Sequence, residues 1–247
     1  MEILQRQHKG GEMMQSDFLM QHGIAGMKWG VRRYQMPGSS KRTEAGKKRY
    51  THSAKGLANA LHQNAVKVEP KITKDVKSVI RKSGAKIYGL KNRLKTKESL
   101  ERKIRTDSKE KDISLNQSAK GIKDTVRYTA VLDNNNFVDG YNSIKESLAE
   151  KGYTEVRCRN YFDLYRKGKA NHKQITTVYE NSDGDQFELQ FHTPSSIKVK
   201  EKKTALYEEA RNPKVSKNRK DEITERMDVL AKQIKDPKGI YTIKSHK

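Results

Sequence analysis

Two carboxylates and a run of cations hold most of the chemistry legible in this sequence. Phe187-Glu188-Leu189-Gln190-Phe191-His192 alternates apolar and polar residues with a period of two, which sets Glu188 and Gln190 on one face of a strand and Phe187, Leu189 and Phe191 on the other. The apolar trio is expected to face the core, so the acid and the amide are presented together to solvent or to a cleft. Asp124 lies just before Arg127, at the start of another expected strand. Two carboxylates on neighbouring sheet ends are hard oxygen ligands of the kind that bind Mg²⁺ carrying nucleotide phosphates. The second constellation is Arg93-Leu94-Lys95-Thr96-Lys97-Glu98-Ser99-Leu100-Glu101-Arg102-Lys103, a basic run leading into a helix expected from near Lys97. Arg93, Lys95 and Lys103 can converge on a polyphosphate, arginine through forked hydrogen bonds and lysine as a point charge. Each feature has a plainer reading: an exposed strand glutamate without a ligand, and a solvated helix with Glu98 and Arg102 paired at i, i+4.

The elements that must position these residues follow from pattern. Val126 to Leu132 is rich in β-branched and aromatic residues and ends at Asp133-Asn134-Asn135-Asn136, a strand followed by a turn. Phe137, Tyr141, Ile144 and Leu148 recur at helical spacing up to a stop at Gly152. Thr154 to Phe162, Ile175 to Tyr179 and Phe187 to His192 read as strands. The last two are joined by Asn181-Ser182-Asp183-Gly184-Asp185, a hairpin signal. Helical patterns return over Ser195 to Glu209 and Ser216 to Ile234, and Leu57 to Ile80 suggests two helices separated by Pro70. The fold class expected is α+β: a small mixed sheet of nucleotidyltransferase-like type with packed helices, helical flanks and a partly disordered N-terminal tail. The organisation expected is a tail over 1–50, a basic helical linker over 51–86, the main domain over 87–211, and a C-terminal helix and tail over 212–247.

Composition bounds what such a chain can be. It has 247 residues with 53 Lys+Arg against 30 Asp+Glu, a formal net charge of +23, and only 33% hydrophobic residues. Between Lys41 and Glu110 there are 21 basic residues against 7 acidic ones. That stretch therefore carries more than half of the excess and generates a field that attracts phosphates. No apolar run approaches the roughly 18 residues of a membrane span, and the N-terminus lacks the apolar core of a secretory signal, so a cytoplasmic or virion-associated protein is expected. Cys158 is the single cysteine, which excludes an intrachain disulfide and a multi-cysteine zinc site.

Taken in order, Arg93, Lys95, Ser99 and Lys103, the strand entered through Asp124 and Arg127, and the hairpin ending in Glu188-Leu189-Gln190-Phe191-His192-Thr193 resemble the synthetase domain of RelA/SpoT-type enzymes. The resemblance spans about Ile87 to Arg211. It implies transfer of the β,γ-pyrophosphate of ATP to a ribose hydroxyl, with Arg93, Lys95, Ser99, Lys103 and Arg127 on the ATP phosphates. Asp124 and Glu188 would hold Mg²⁺ and act catalytically, and His172, Lys173, Gln190 and His192 would face the acceptor. Three departures stand out. Asp124 precedes Arg127 by three residues where the family spaces five, Asn171-His172-Lys173-Gln174-Ile175-Thr176 replaces the family's Gly-Tyr-x-Ser-x-His loop, and His192 replaces an arginine. No companion hydrolase domain is seen, and small synthetase-only members are often growth-inhibiting toxins, which implies an antitoxin. Some relatives modify the 3′ end of tRNA, an acceptor that suits a charge of +23.

A second resemblance lies in the tail. His22-Gly23-Ile24-Ala25-Gly26-Met27-Lys28-Trp29-Gly30-Val31-Arg32-Arg33-Tyr34 looks like a segment recurring in phage and mobile-element proteins of Gram-positive bacteria, and residues 18–34 would dock a partner such as a phage structural protein or pack on the body. The expectation is thus a phage- or mobile-element-encoded pyrophosphotransferase acting on a nucleotide or tRNA. Its rivals are a non-catalytic phage structural or nucleic-acid-binding protein and an ADP-ribosyltransferase-like toxin.

Overall fold

In the computed structural model, residues 52–212 and 214–247 are described; the expectations for the tail lie outside them. The first helix, α1 (Ala54–Lys82), starts where the Ser53 hydroxyl accepts from the Gly56 amide at 3.0 Å and ends with Arg81 and Lys82 against the C-terminal dipole. It runs unbroken through Pro70, contrary to the two helices expected. A proline inside a helix costs roughly 3 kcal/mol. Ile72, Val76, Val79 and Ile80, all at most 2% exposed, lie on one side of it beyond the proline, and burying such side chains contributes about 1.5–3 kcal/mol each. Packing therefore outweighs the break. The same residues belong to the main core cluster, so the stretch expected to be a linker contributes a central element of the body.

After the short edge strand β1 (Lys86–Ile87) come α2 (Lys97–Lys111) and α3 (Leu115–Lys120). Leu100, Ile104, Ala119 and Ile122 join Ala54 and Ala58 in a second, smaller cluster that fixes both helices to the start of α1. Then follow β2 (Arg127–Val131), α4 (Phe137–Glu150), β3 (Thr154–Asn160), α5 (Tyr161–Arg166), β4 (Ile175–Glu180), β5 (Gln186–His192), α6 (Pro194–Ala210) and α7 (Lys217–Lys232). The fold is α+β, with a five-stranded mixed sheet in the order β1-β2-β5-β4-β3 in which only β2 and β5 run parallel. The β4–β5 hairpin turns where the Asn181 side chain accepts from the amides of Asp183 and Asp185, and Gly184 adopts φ 80°, a region that favours glycine.

The core face of the sheet is aromatic. Phe187 stacks on Tyr179 at 5.5 Å and meets Tyr128 and Tyr153 edge-on, while Tyr141 of α4 meets Phe191 at 5.0 Å. The chain end closes the opposite edge. His246 and Cys158 exchange backbone hydrogen bonds of 3.1 and 2.9 Å, and the fully buried Asn160 amide donates to the carbonyls of Ile240 and Ile243 at 2.8 and 3.0 Å. Asn160 also ends β3 and starts α5, whose first two residues the strand expected over Thr154 to Phe162 included, by accepting from the amides of Phe162 and Asp163. Among the described residues no helix is long and apolar enough to cross a membrane.

Candidate active site

The site is assembled by a short antiparallel contact. Residues 93–95 run beside the entry to β2: the Arg127 amide donates to the Arg93 carbonyl at 2.8 Å, the Lys95 amide donates to the Thr125 carbonyl at 3.0 Å, and Leu94 bridges Val126. This pairing brings the Lys95 ammonium onto Asp124 as an ion pair, with both side chains less than a fifth exposed. Thr96 caps α2 by accepting from the Ser99 amide at 3.2 Å, which points the first turns of α2 into the same region. Burial alone would raise the Asp124 carboxyl. The charge and hydrogen bond of Lys95, with Lys103 and Arg127 behind them, hold it below the usual carboxylate range. Its other oxygen, Oδ1, is buried without a hydrogen-bond partner among the described residues.

Strand register supplies the second carboxylate. Arg127 sits opposite Glu188, Glu188 opposite Val178, and Val178 opposite Arg157, so one row of side chains crosses four strands on the face away from the aromatic core. Thr129, Gln190, Thr176 and Arg159 form the next row. Glu188, 9% exposed, accepts from Gln190 Nε2 at 2.7 Å. Its carboxyl is pushed up, first by burial and then by the charge of Asp124, with Gln190, Arg157 and Lys95 opposing. Lys200 of α6 reaches down to donate to Gln190 Oε1 at 2.8 Å.

Two clefts on this face border Arg127; a third, about 380 Å³, lies toward β3 against Arg157, Arg159 and Val178. The larger of the two, about 720 Å³, is lined at the sheet by Lys95, Asp124 and Arg127 and along α2 by Ser99, Arg102 and Lys103. The smaller, about 250 Å³, is lined by Tyr88, Arg127, Thr129, Gln190 and Lys200. Arg127 borders both, and Glu188, its register partner in the sheet, lines neither. Asp124 and Glu188 therefore lie within each other's field, beside Lys95, Lys103 and Arg127. Among the described residues no three His, Cys, Asp or Glu side chains converge as a metal cage. Two carboxylates fit Mg²⁺, which commonly takes one or two and completes its shell with water and substrate phosphates. The unpartnered Asp124 Oδ1 is an atom such an ion would satisfy.

Other residues expected at the site are placed differently. The Arg93 guanidinium forms an ion pair with Glu69 of α1, which also accepts from Thr73, and Arg93 lines neither cleft. Lys173 is buried, donating to the Ile234 carbonyl at 2.9 Å and pairing with Asp236 at 2.8 Å, so it anchors the segment after α7 instead of facing an acceptor. His192 is 2% exposed, bonded through Nδ1 to Ser196 Oγ at 2.8 Å, and burial beside Lys200 and His172 lowers its pKa; it works at the start of α6 rather than facing an acceptor. His172 packs against the Tyr161 ring, 4.2 Å between centroids and tilted by 37°, and burial and Lys203 lower its pKa to about 4, leaving a neutral ring at pH 7. The pairing of Glu98 with Arg102 is replaced by Glu101–Arg105 and Lys103–Asp107. Lys200 and Glu69 were missed by sequence reading. Lys200 stands one helix after the strand whose Gln190 it bonds, and only the turn of α6 back over the sheet reveals it.

A sequence profile described as a family of unknown function, DUF7211, matches residues 14–36, which include the tail segment and lie outside the described residues. No curated protein matches the sequence. Among solved structures, the chain is similar to a GTP pyrophosphokinase family protein from Streptococcus pneumoniae (16% identity, 70% of this chain and 82% of that one, TM-score 0.47). It is similar to small alarmone synthetase 1 from Bacillus subtilis (18% identity, 76% and 90%, TM-score 0.47). The Type VI effector Tas1, solved with its immunity protein, is similar over 70% of this chain and 93% of its own, at 16% identity and TM-score 0.43.

Proposed function

We propose that the chain transfers the β,γ-pyrophosphate of ATP to a ribose hydroxyl of a nucleotide or of the 3′ end of tRNA. The observation that carries this reading is the pair of carboxylates, Asp124 and Glu188, coupled in one buried sheet face beside a cleft walled by Lys95, Lys103 and Arg127. Glu188 accepts the proton of the attacking hydroxyl. Burial and the charge of Asp124 raise its pKa, which makes it a stronger base than an exposed carboxylate. The hydroxyl oxygen bonds to the β-phosphorus of ATP, the bond from that phosphorus to the α,β-bridging oxygen breaks, and AMP leaves. Lys95, Lys103 and Arg127 bind the phosphates, with Ser99 lining the same cleft. Bound Mg²⁺, held by Asp124 Oδ1 and Glu188, would neutralise phosphate charge. Loose phosphoryl-type transition states need this kind of positioning and charge, and no covalent step from the protein.

Gln190, Lys200 and the smaller cleft form the acceptor side of the proposal. Because the products deplete nucleotide pools or disable tRNA, an active enzyme of this type would inhibit growth and call for a neutralising partner. The test is incubation of the purified chain with γ-labelled ATP, Mg²⁺ and either GDP or tRNA. Label on the acceptor with stoichiometric AMP supports the reading. Salt-sensitive binding of tRNA without transfer to either acceptor favours a non-catalytic nucleic-acid-binding role.

A further inference from the structure

The outer end of the larger cleft holds an aromatic ring that phosphate binding does not use. Tyr207, in the last turn of α6, is 50% exposed and lines the cleft with Glu208 and Arg211. The Arg211 guanidinium lies over the Tyr207 ring, 5.0 Å from its centroid, and is itself held by Glu208 at 3.2 Å. The ring is therefore steadied on one side by a fixed cation, and half of its surface stays open.

Its position along the cleft gives the ring a use. Lys200 touches Gln190 in the sheet, and Tyr207 stands seven residues further along the same helix, about 10 Å away along its axis. The sheet end carries Lys95 and Arg127 beside Asp124, whereas the rest of the lining mixes Arg102, Lys103 and Arg211 with Asp107, Glu110 and Glu208, and there Lys103 pairs with Asp107 and Arg211 with Glu208. Tyr207 is the one aromatic ring among these lining residues, so an aromatic base finds its stacking surface there, and Glu110 is a carboxylate that can accept from an exocyclic amine. Arg93, which could otherwise stack on a base, is tied to Glu69.

We infer that Tyr207, backed by Arg211, is the subsite for the base of the donor nucleoside triphosphate, which lies with its phosphates at Lys95, Lys103 and Arg127. This rests on the nucleotide-dependent reading above and adds the specificity element for that donor. The subsite makes a bare polyphosphate a poorer ligand than ATP, and the difference resides in one ring.

The test measures equilibrium binding of ATP and of inorganic tripolyphosphate to the full chain and to the Tyr207→Ala and Tyr207→Phe variants. Both substitutions fall on an exposed helix position that accepts them without loss of fold. The expected result is about a tenfold or greater loss of ATP affinity in Tyr207→Ala, unchanged tripolyphosphate affinity, and near-normal ATP affinity in Tyr207→Phe. Parallel weakening of both ligands, no change in either, or wild-type protein that fails to prefer ATP over tripolyphosphate overturns the inference. If the ring-dependent preference for ATP holds while no label reaches GDP or tRNA, the subsite stands and the transfer reading falls. If transfer occurs and Tyr207→Ala leaves ATP binding untouched, the subsite alone falls.

Discussion

Glu188 meets two opposed demands. As a base it must be ionised; as a buried group beside Asp124 it costs stability when ionised. Its native pKa is raised, first by burial and then by Asp124, so the folded protein holds that proton more tightly than the unfolded chain does. Stability contributed by this group is therefore full below the ordinary glutamate value and is lost as pH rises through the raised native value. Glu188→Gln keeps an oxygen to accept the Gln190 bond of 2.7 Å and removes the charge. We expect the variant to lose transfer activity by about 10² or more while melting higher than wild type at pH 7 in chelator, the gap closing toward a pH of about 4. Full activity would remove Glu188 from the chemistry; a lower melting temperature at pH 7 would show that Gln190, Arg157 and Lys95 outweigh burial and Asp124 in stabilising its ionised form.

Arg93 and Lys95 are two residues apart in sequence and have different fates. The Lys95 pair with Asp124 stands in the cleft, whereas Arg93 pairs with Glu69 of α1, whose side chain is only 8% exposed. The Arg93 hydrogen bond is the largest influence holding the Glu69 carboxyl low, against burial. Arg93→Ala leaves that carboxylate with Thr73 as its neighbour, so a loss of about 2 kcal/mol in unfolding free energy is expected, with the KM for ATP little changed. Lys95→Ala should instead raise that KM, since phosphate-binding cations act on ground and transition states alike. Denaturant unfolding and steady-state kinetics on the two variants separate these outcomes.

At the scale of elements, the Asn160 side chain joins three parts of the fold: the end of β3, the start of α5 and the segment from Ile240 to Ile243. Asn160→Ala strands two carbonyls and two amides in a site with no solvent, and unsatisfied buried groups cost about 1–3 kcal/mol each before relaxation. We expect a stability loss of at least about 2 kcal/mol, with amide exchange accelerating first over residues 240–246. Uniform acceleration across the sheet would mean that the segment does not open independently. This junction was not legible in the sequence, because nothing local marks an asparagine as the partner of residues eighty positions away. The elements that were legible have their signal within a few residues: the alternation of β5, the Asn181 to Asp185 turn, and the spacing of Phe137, Tyr141, Ile144 and Leu148 in α4. Pro70 misled because the proline is local while the packing that overrides it is not. The same division holds for the site. Glu188 and Asp124 were visible as residue types in pattern, while the diversion of Arg93 to Glu69 and Lys173 to Asp236 depends on partners supplied by other elements.

For the whole molecule, the question is what the charge of +23 serves. The core of the described residues runs from Ala54 to Ile243, and a chain beginning at residue 51 tests whether residues 1–50 add to it: the same melting temperature and mononucleotide activity as the full chain make them separable. A drop in either would place residues 1–50 in the fold or the site. Charge is organised within the body as well. Lys67, Lys71, Lys74, Lys77 and Arg81 are all exposed and recur along α1 at intervals of three or four residues, which makes a stripe about 20 Å long. Such a stripe is superfluous for a mononucleotide acceptor and useful for a tRNA, whose backbone presents phosphates over that distance. Each phosphate neutralised releases close to one counterion, so binding should weaken linearly with salt on logarithmic axes, at about 0.7–0.9 per contact. Replacing Lys67, Lys71 and Lys74 by alanine removes three exposed cations from a helix that tolerates alanine well. If the acceptor is tRNA lying along α1, the salt slope for tRNA binding should fall by about 2–3 while transfer to GDP is unaffected. An unchanged slope with weaker transfer to GDP would place the stripe near the mononucleotide site instead. Unchanged slope and unchanged transfer would leave α1 as a solvated face and move the RNA contacts to the cations of α2 and the larger cleft.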